Sequence, residues 1–105
     1  MQIEYAEAFW IDEHHELTLA ELAERSGLSE ALLRELVDYG ALVPVDPTAA
    51  QLTFRTHCIA AARTAYRLQH DFELAPSGLA VVLGLIERIG ALEAELRDLR
   101  ARLPR

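Results

Sequence analysis

The sequence has 105 residues, 51% of them apolar, with 17 acidic side chains against 10 basic ones and a formal net charge of −7. That length suits one domain, or a small domain plus one long helix, and leaves little room for both a core and a deep catalytic cleft. The single cysteine, Cys58, excludes a disulfide framework and a Cys-rich metal site; no run approaches the ~18 apolar residues of a membrane span; and Met1 to Ile11 carries Glu4 and Glu7 where a secretory leader is basic, so a cytoplasmic protein is expected.

Residues 1–16 are ambiguous. Ile3, Tyr5, Phe9 and Ile11 share one parity and fit one face of a short strand, but Ala6, Ala8 and Trp10 weaken the alternation. Asp12–Glu16 reads as a polar connector. A helix start follows on several agreeing signals. Thr18 is the N-cap and Glu21 stands three residues later, which makes a capping box. Leu17 and Leu22 have the spacing of a hydrophobic staple, Leu19, Leu22 and Ala23 form the apolar stripe, and Gly27 is placed to end the helix in the left-handed conformation. A second helix begins at once. Ser29 caps it, Glu30 suits its positive end, Leu32, Leu33, Leu36 and Val37 form its buried face, and Gly40 stops it. Two short helices joined through Ser26-Gly27-Leu28-Ser29 follow the pattern of a helix-turn-helix.

Val43 to Arg55 loses helical character. Pro44 and Pro47 confine it to an edge hairpin or an extended wing. A third helix is predicted from about Thr56 to Phe72, with Ile59, Ala62, Ala65, Tyr66 and Gln69 on related faces. Residues 73–76 break it, and Pro76 suits a first helical turn. In the last helix Val82, Leu85, Ile89, Leu92, Leu96, Leu99 and Leu103 alternate spacings of three and four, a sustained heptad seam. Glu93–Arg97 and Asp98–Arg102 are favourable i,i+4 pairs beside it. Such a seam needs a partner helix, and a second copy of the chain is the simplest one. The sequence does not choose between a parallel and an antiparallel pair. The domain organisation read from this order is a winged helix-turn-helix domain over residues 1–75 and a dimerisation helix over 76–105.

This order of elements resembles the MerR-like winged helix-turn-helix group, carried by Leu19 to Leu42 with Ser26-Gly27-Leu28-Ser29, Arg34 and Tyr39-Gly40-Ala41-Leu42. Within that group the chain is similar to the CbpM-like chaperone-modulator family. The similarity rests on Tyr66-Arg67-Leu68-Gln69-His70-Asp71-Phe72-Glu73-Leu74, Gly78-Leu79-Ala80, Leu83-Gly84-Leu85 and the Leu/Arg-rich end, and it runs from about residue 17 onward. The resemblance implies a mainly α-helical fold with a small β wing and a long terminal coiled-coil helix. It implies a non-enzymatic regulator that binds the J-domain of a CbpA-type co-chaperone of the Hsp40 class and inhibits its activity. No cofactor is implied.

The distribution of charge supports a protein partner. Residues 1–50 hold 11 acidic residues against Arg25 and Arg34, residues 51–105 hold eight arginines against six acids, and lysine is absent. The resemblance implies that DNA-binding MerR proteins aim basic and aromatic groups of the second helix and wing at phosphates. Here Glu35 and Asp38 occupy that surface and the wing before Arg55 offers Asp46 and no base. Carboxylates repel phosphates, so the charge argues against nucleic acid. A MerR-like transcription regulator is the alternative function. An acidic module complements the basic helix that the family resemblance assigns to a J-domain. Charge and expected exposure therefore nominate Glu21, Glu24, Glu30, Glu35 and Asp38 for partner binding, with Arg34 on the same helix and His70 in the segment that carries the resemblance. His70 is also placed to cap the third helix, since a cation is favoured near a helix C-terminus. His14-His15 lacks a second ligand pair at i+3 or i+4 and is not read as a metal site. His57-Cys58 lacks a third group to orient a base, so no catalytic residue is assigned. Arg55, Arg63 and Arg67 form a basic group best used in salt bridges to the acidic half.

Overall fold

The computed structural model describes residues 15–104. The strand reading of residues 1–14 and His14 of the histidine pair lie outside the described residues. The elements in chain order are β1 (Glu16–Thr18), α1 (Leu19–Ser26), α2 (Glu30–Asp38), β2 (Thr53–Arg55), α3 (Cys58–Phe72) and α4 (Pro76–Arg102). This is a mainly helical architecture with one two-stranded sheet.

The expected caps hold the first two helices. The Thr18 hydroxyl accepts from the Glu21 amide at 3.1 Å and the Glu21 carboxylate accepts from the Thr18 amide at 2.8 Å. Between them these bonds pair two of the amides a helix start otherwise leaves without partners. Gly27 stops α1 at φ 91°, in the left-handed region, and its amide donates to Ala23 O. The turn is tightened from inside. The buried Ser26 hydroxyl accepts from the Leu28 amide at 3.2 Å, and Ser29 then caps α2 by accepting from the Leu32 amide at 3.1 Å. Gly40 follows α2 at φ 81°, donating to Val37 O.

Of the two expected forms of residues 43–55, the extended wing is the one observed. β2 does not form a hairpin strand with Val43–Val45. It pairs antiparallel with β1, in the register Glu16↔Arg55, Leu17↔Phe54 and Thr18↔Thr53. Glu16, read from sequence as connector, is therefore a strand residue. The reason is burial: Leu17 and Phe54 are directly opposed and both fully buried, so pairing these two strands puts two large apolar side chains on one core face. The segment before β2 stays alongside, through a single bond from the Val45 amide to Thr53 O at 2.8 Å.

The core lies between β1–β2, α1, α2, α3 and the start of α4. Phe54, Leu17, Leu22, Leu33, Leu36 and Leu79 are its largest fully buried side chains. Each contributes about 1.5–3 kcal/mol by leaving water. Ala62 and Ala65, both fully buried, let α3 approach α1 closely. α3 begins two residues later than read and ends at Phe72 as expected, where Glu73 caps it in the left-handed conformation at φ 52°. Pro76 opens α4 within its first turn. Only the start of α4 packs on the domain: Leu79 and Leu83 are buried, and every residue from Gly84 to Pro104 is exposed.

Candidate functional site

The nominated acidic residues all stand on the surface of the helix-turn-helix. On α2 the Leu32, Leu33 and Leu36 face turns inward, which leaves Glu30, Arg34, Glu35 and Asp38 exposed. Glu30, Arg34 and Asp38 follow one another at i,i+4 spacing and form one row, with Glu35 beside it. The single cation of that row sits between two acids, so the row remains net negative. Arg34 also borders a shallow pocket of about 240 Å³, lined by Thr18, Leu19, Ala20, Ala50, Gln51 and Leu52. This pocket joins the α2 row to the start of α1, the helix that carries Glu21 and Glu24 at i,i+3, both exposed.

Glu21 has a structural task as well. Its carboxylate is held below the usual range chiefly by the bond from the Thr18 amide, aided by the Thr18 hydroxyl and by the nearby His15 and Arg25. It stays ionised at neutral pH, but one of its oxygens is committed to the cap. Asp46 in the wing is also held down, by the Thr48 hydroxyl at 2.7 Å and the Thr48 amide at 3.0 Å.

His70 falls in a different cluster. It lies in the last turn of α3 and stacks on Tyr66, with ring centroids 6.1 Å apart and planes 5° from parallel. Tyr66 in turn covers Gly27: a Cβ added there would lie 3.1 Å from the ring. The Arg63 guanidinium donates to Arg25 O at 3.1 Å and thus serves a carbonyl near the end of α1. Arg63 and Tyr66 therefore tie α3 to the helix-turn-helix, and His70 backs the Tyr66 ring from within α3. Of the basic trio, the Arg63 guanidinium bonds a backbone carbonyl, and Arg67 reaches the Thr64 hydroxyl at 3.5 Å.

Cys58 is buried, and burial pushes its thiol up, away from the reactive thiolate. Among the described residues no three His, Cys, Asp or Glu side chains come together as a metal requires, and no helix is long and apolar enough to cross a membrane.

One apolar group escaped the reading of the sequence. Tyr39, at the end of the helix that carries the acidic row, is 57% exposed, and Val43 and Val45 after it are 68% and 39% exposed. Pro44 between the two valines is buried, so in this extended stretch both valines face outward together. The alternation Leu42 in, Val43 out, Pro44 in, Val45 out was the available signal.

Residues 17–101 match the MerR HTH family of regulatory proteins. The chaperone modulatory proteins CbpM of Escherichia coli O1:K1 / APEC and of Escherichia coli O45:K1 (strain S88 / ExPEC) are each 35% identical to the chain over 88 residues, which cover 84% of this chain and 87% of theirs. The chain belongs to the CbpM-like family. CbpM of Escherichia coli O139:H28 (strain E24377A / ETEC) matches to the same extent. The names of these CbpM relatives describe chaperone modulation, and the wider MerR description is regulatory, so neither names an enzyme. Among the described residues, the CbpM-like helix-turn-helix of this chain presents acids along the row of α2, with Arg34 its one base.

Proposed function

We propose that the chain is a chaperone modulator that binds the J-domain of a CbpA-type co-chaperone and inhibits it, acting in the cytoplasm as a homodimer joined through α4. The observation that carries the reading is the charge of α2. A helix-turn-helix that addressed phosphate would need bases on its outward row, and this row holds Glu30, Glu35 and Asp38 around Arg34. Family membership supports a chaperone-linked role, and an acidic face complements a basic helix, which raises the rate of productive encounter. Inhibition then follows from occupancy. A J-domain whose basic helix is covered cannot present it to its Hsp70, and covering a surface requires no cleft.

Dimerisation is supported by the second face of α4. Leu85, Ile89, Leu92, Leu96, Leu99 and Leu103 are 45–66% exposed in one heptad register, and a run of that length is covered at lower free energy by another helix than by water. Residues 1–75 would then form the binding domain and 76–105 the joining helix.

The test is binding of a purified J-domain to the triple variant Glu30→Lys, Glu35→Lys and Asp38→Lys. The expected result is an association rate at least about tenfold lower at low salt. An unchanged rate would move the interface away from α2. A mobility shift of duplex DNA by the wild type at low salt would favour the transcription-regulator reading instead.

A further inference from the structure

The acidic row explains attraction, but exposed ion pairs hold complexes poorly: each is worth about 0–1 kcal/mol. Durable interfaces are anchored by a few apolar or aromatic side chains within a polar rim. The structure offers such a group at the C-terminal end of the same helix. Tyr39 follows Asp38 directly and stands one turn after Glu35, to whose carbonyl its amide donates at 3.0 Å. Val43 and Val45, exposed a few residues further along the chain, add apolar surface, and Asp46, kept ionised by Thr48, follows Val45 directly. None of the three apolar side chains is needed by the core, which is filled from the opposite side by Leu36, Leu42 and Pro44.

We propose that Tyr39, Val43 and Val45 form the apolar anchor of the partner interface, and that the occupant is a basic amphipathic helix whose apolar stripe lies on them while its cations meet Glu35, Asp38 and Asp46. The inference rests on the J-domain reading above and adds the residues that hold the complex once charge has brought it together. The choice of occupant follows from the rim. The charged residues from Glu35 to Asp46 are all acidic, and Arg34 before them is one base against these three acids, which argues against a nucleic acid and disfavours a second copy of this acidic module.

The two roles separate kinetically. Rim charges act mainly on association, whereas buried anchors act mainly on dissociation. In surface-binding measurements with the full chain and a purified J-domain, Tyr39→Ala and Val43→Ser are each expected to raise the dissociation rate roughly tenfold, with the association rate and its salt dependence within about twofold of wild type. Tyr39 has ordinary right-handed backbone geometry, so alanine fits there, and circular dichroism checks that α2 persists. Val45→Ser, whose backbone bond to Thr53 is left intact, provides an independent third variant. Wild-type dissociation rates in all three folded variants, with the wild type binding normally, overturn the anchor and leave the J-domain reading standing. A wild-type chain that does not bind the J-domain overturns both.

Discussion

Gly27 carries two constraints at once. Its φ of 91° suits a residue without a side chain, and the Tyr66 ring fills the space a Cβ would need. Gly40 has a similar φ of 81° but open space around it. The pair separates backbone strain from steric contact. Gly40→Ala is expected to cost about 1 kcal/mol, the usual penalty of the left-handed region, and Gly27→Ala about 1–2 kcal/mol more because the ring must move. Urea unfolding of the two variants measures the difference; equal losses would show that Tyr66 yields freely. Glu21 gives the second prediction at this scale. Its folded-state value lies below its ordinary one, 4.5, so its bond to Thr18 stabilises the fold above that pH and the benefit disappears as pH falls through the lowered value. Glu21→Gln should therefore lower the melting temperature at pH 7 and converge with wild type in acid. A constant gap down to low pH would mean that ionisation of Glu21 contributes nothing. Thr18, Glu21 and Gly27 were readable as caps because their bonds are local. The contact between Tyr66 and Gly27 was not, since it joins residues far apart in the chain.

Among the helices, α4 shows most clearly what periodicity can and cannot tell. Its heptad seam was legible in the leucine spacing. The core-facing residues Leu79 and Leu83 were not, because they lie outside that register. Counting about 100° per residue places them roughly 120–160° around the axis from the Leu85–Leu103 line. Val82, counted with the seam, is half-buried at the junction of the two faces. The helix thus has one apolar face for its own domain and another directed away from it. Leu92→Arg combined with Leu96→Arg is expected to turn a dimer into a monomer by sedimentation, while Leu33→Ala should cost about 2–5 kcal/mol of domain stability and leave assembly unchanged at temperatures where the domain stays folded. A wild-type monomer would remove the seam from the interface. Of the two forms open to residues 43–55, the extended wing is formed and the edge hairpin is not, for a related reason. Thr53–Arg55 pairs with β1 because Leu17 offers Phe54 a buried partner that Val43 and Val45 do not.

At the level of the whole molecule, charge is segregated. The acids collect on the helix-turn-helix, while α4 carries four acids and four arginines interspersed along its length, as in the Asp98–Arg102 pair at 3.0 Å. The protein extends over 51 × 33 × 32 Å, with α4 projecting from the acidic module. An acidic face that steers a basic partner works through a field screened over about 10 Å at 0.1 M salt. The wild-type association rate with a J-domain should therefore fall as salt rises, and the Glu30, Glu35 and Asp38 reversal should flatten that dependence. A salt-independent wild-type rate would leave the acidic face without a role in encounter.

The sequence by itself determined the helices, their caps, the helix-turn-helix, the sign of its outward surface and the existence of a seam, because each depends on residues within a few positions of one another. Only the tertiary structure decided the strand that pairs with β2, the seating of Tyr66 on Gly27, the division of α4 between two faces and the exposure of Tyr39, Val43 and Val45. Those outcomes depend on which apolar surfaces find the same core, a competition among segments distant in the chain that local spacing does not express.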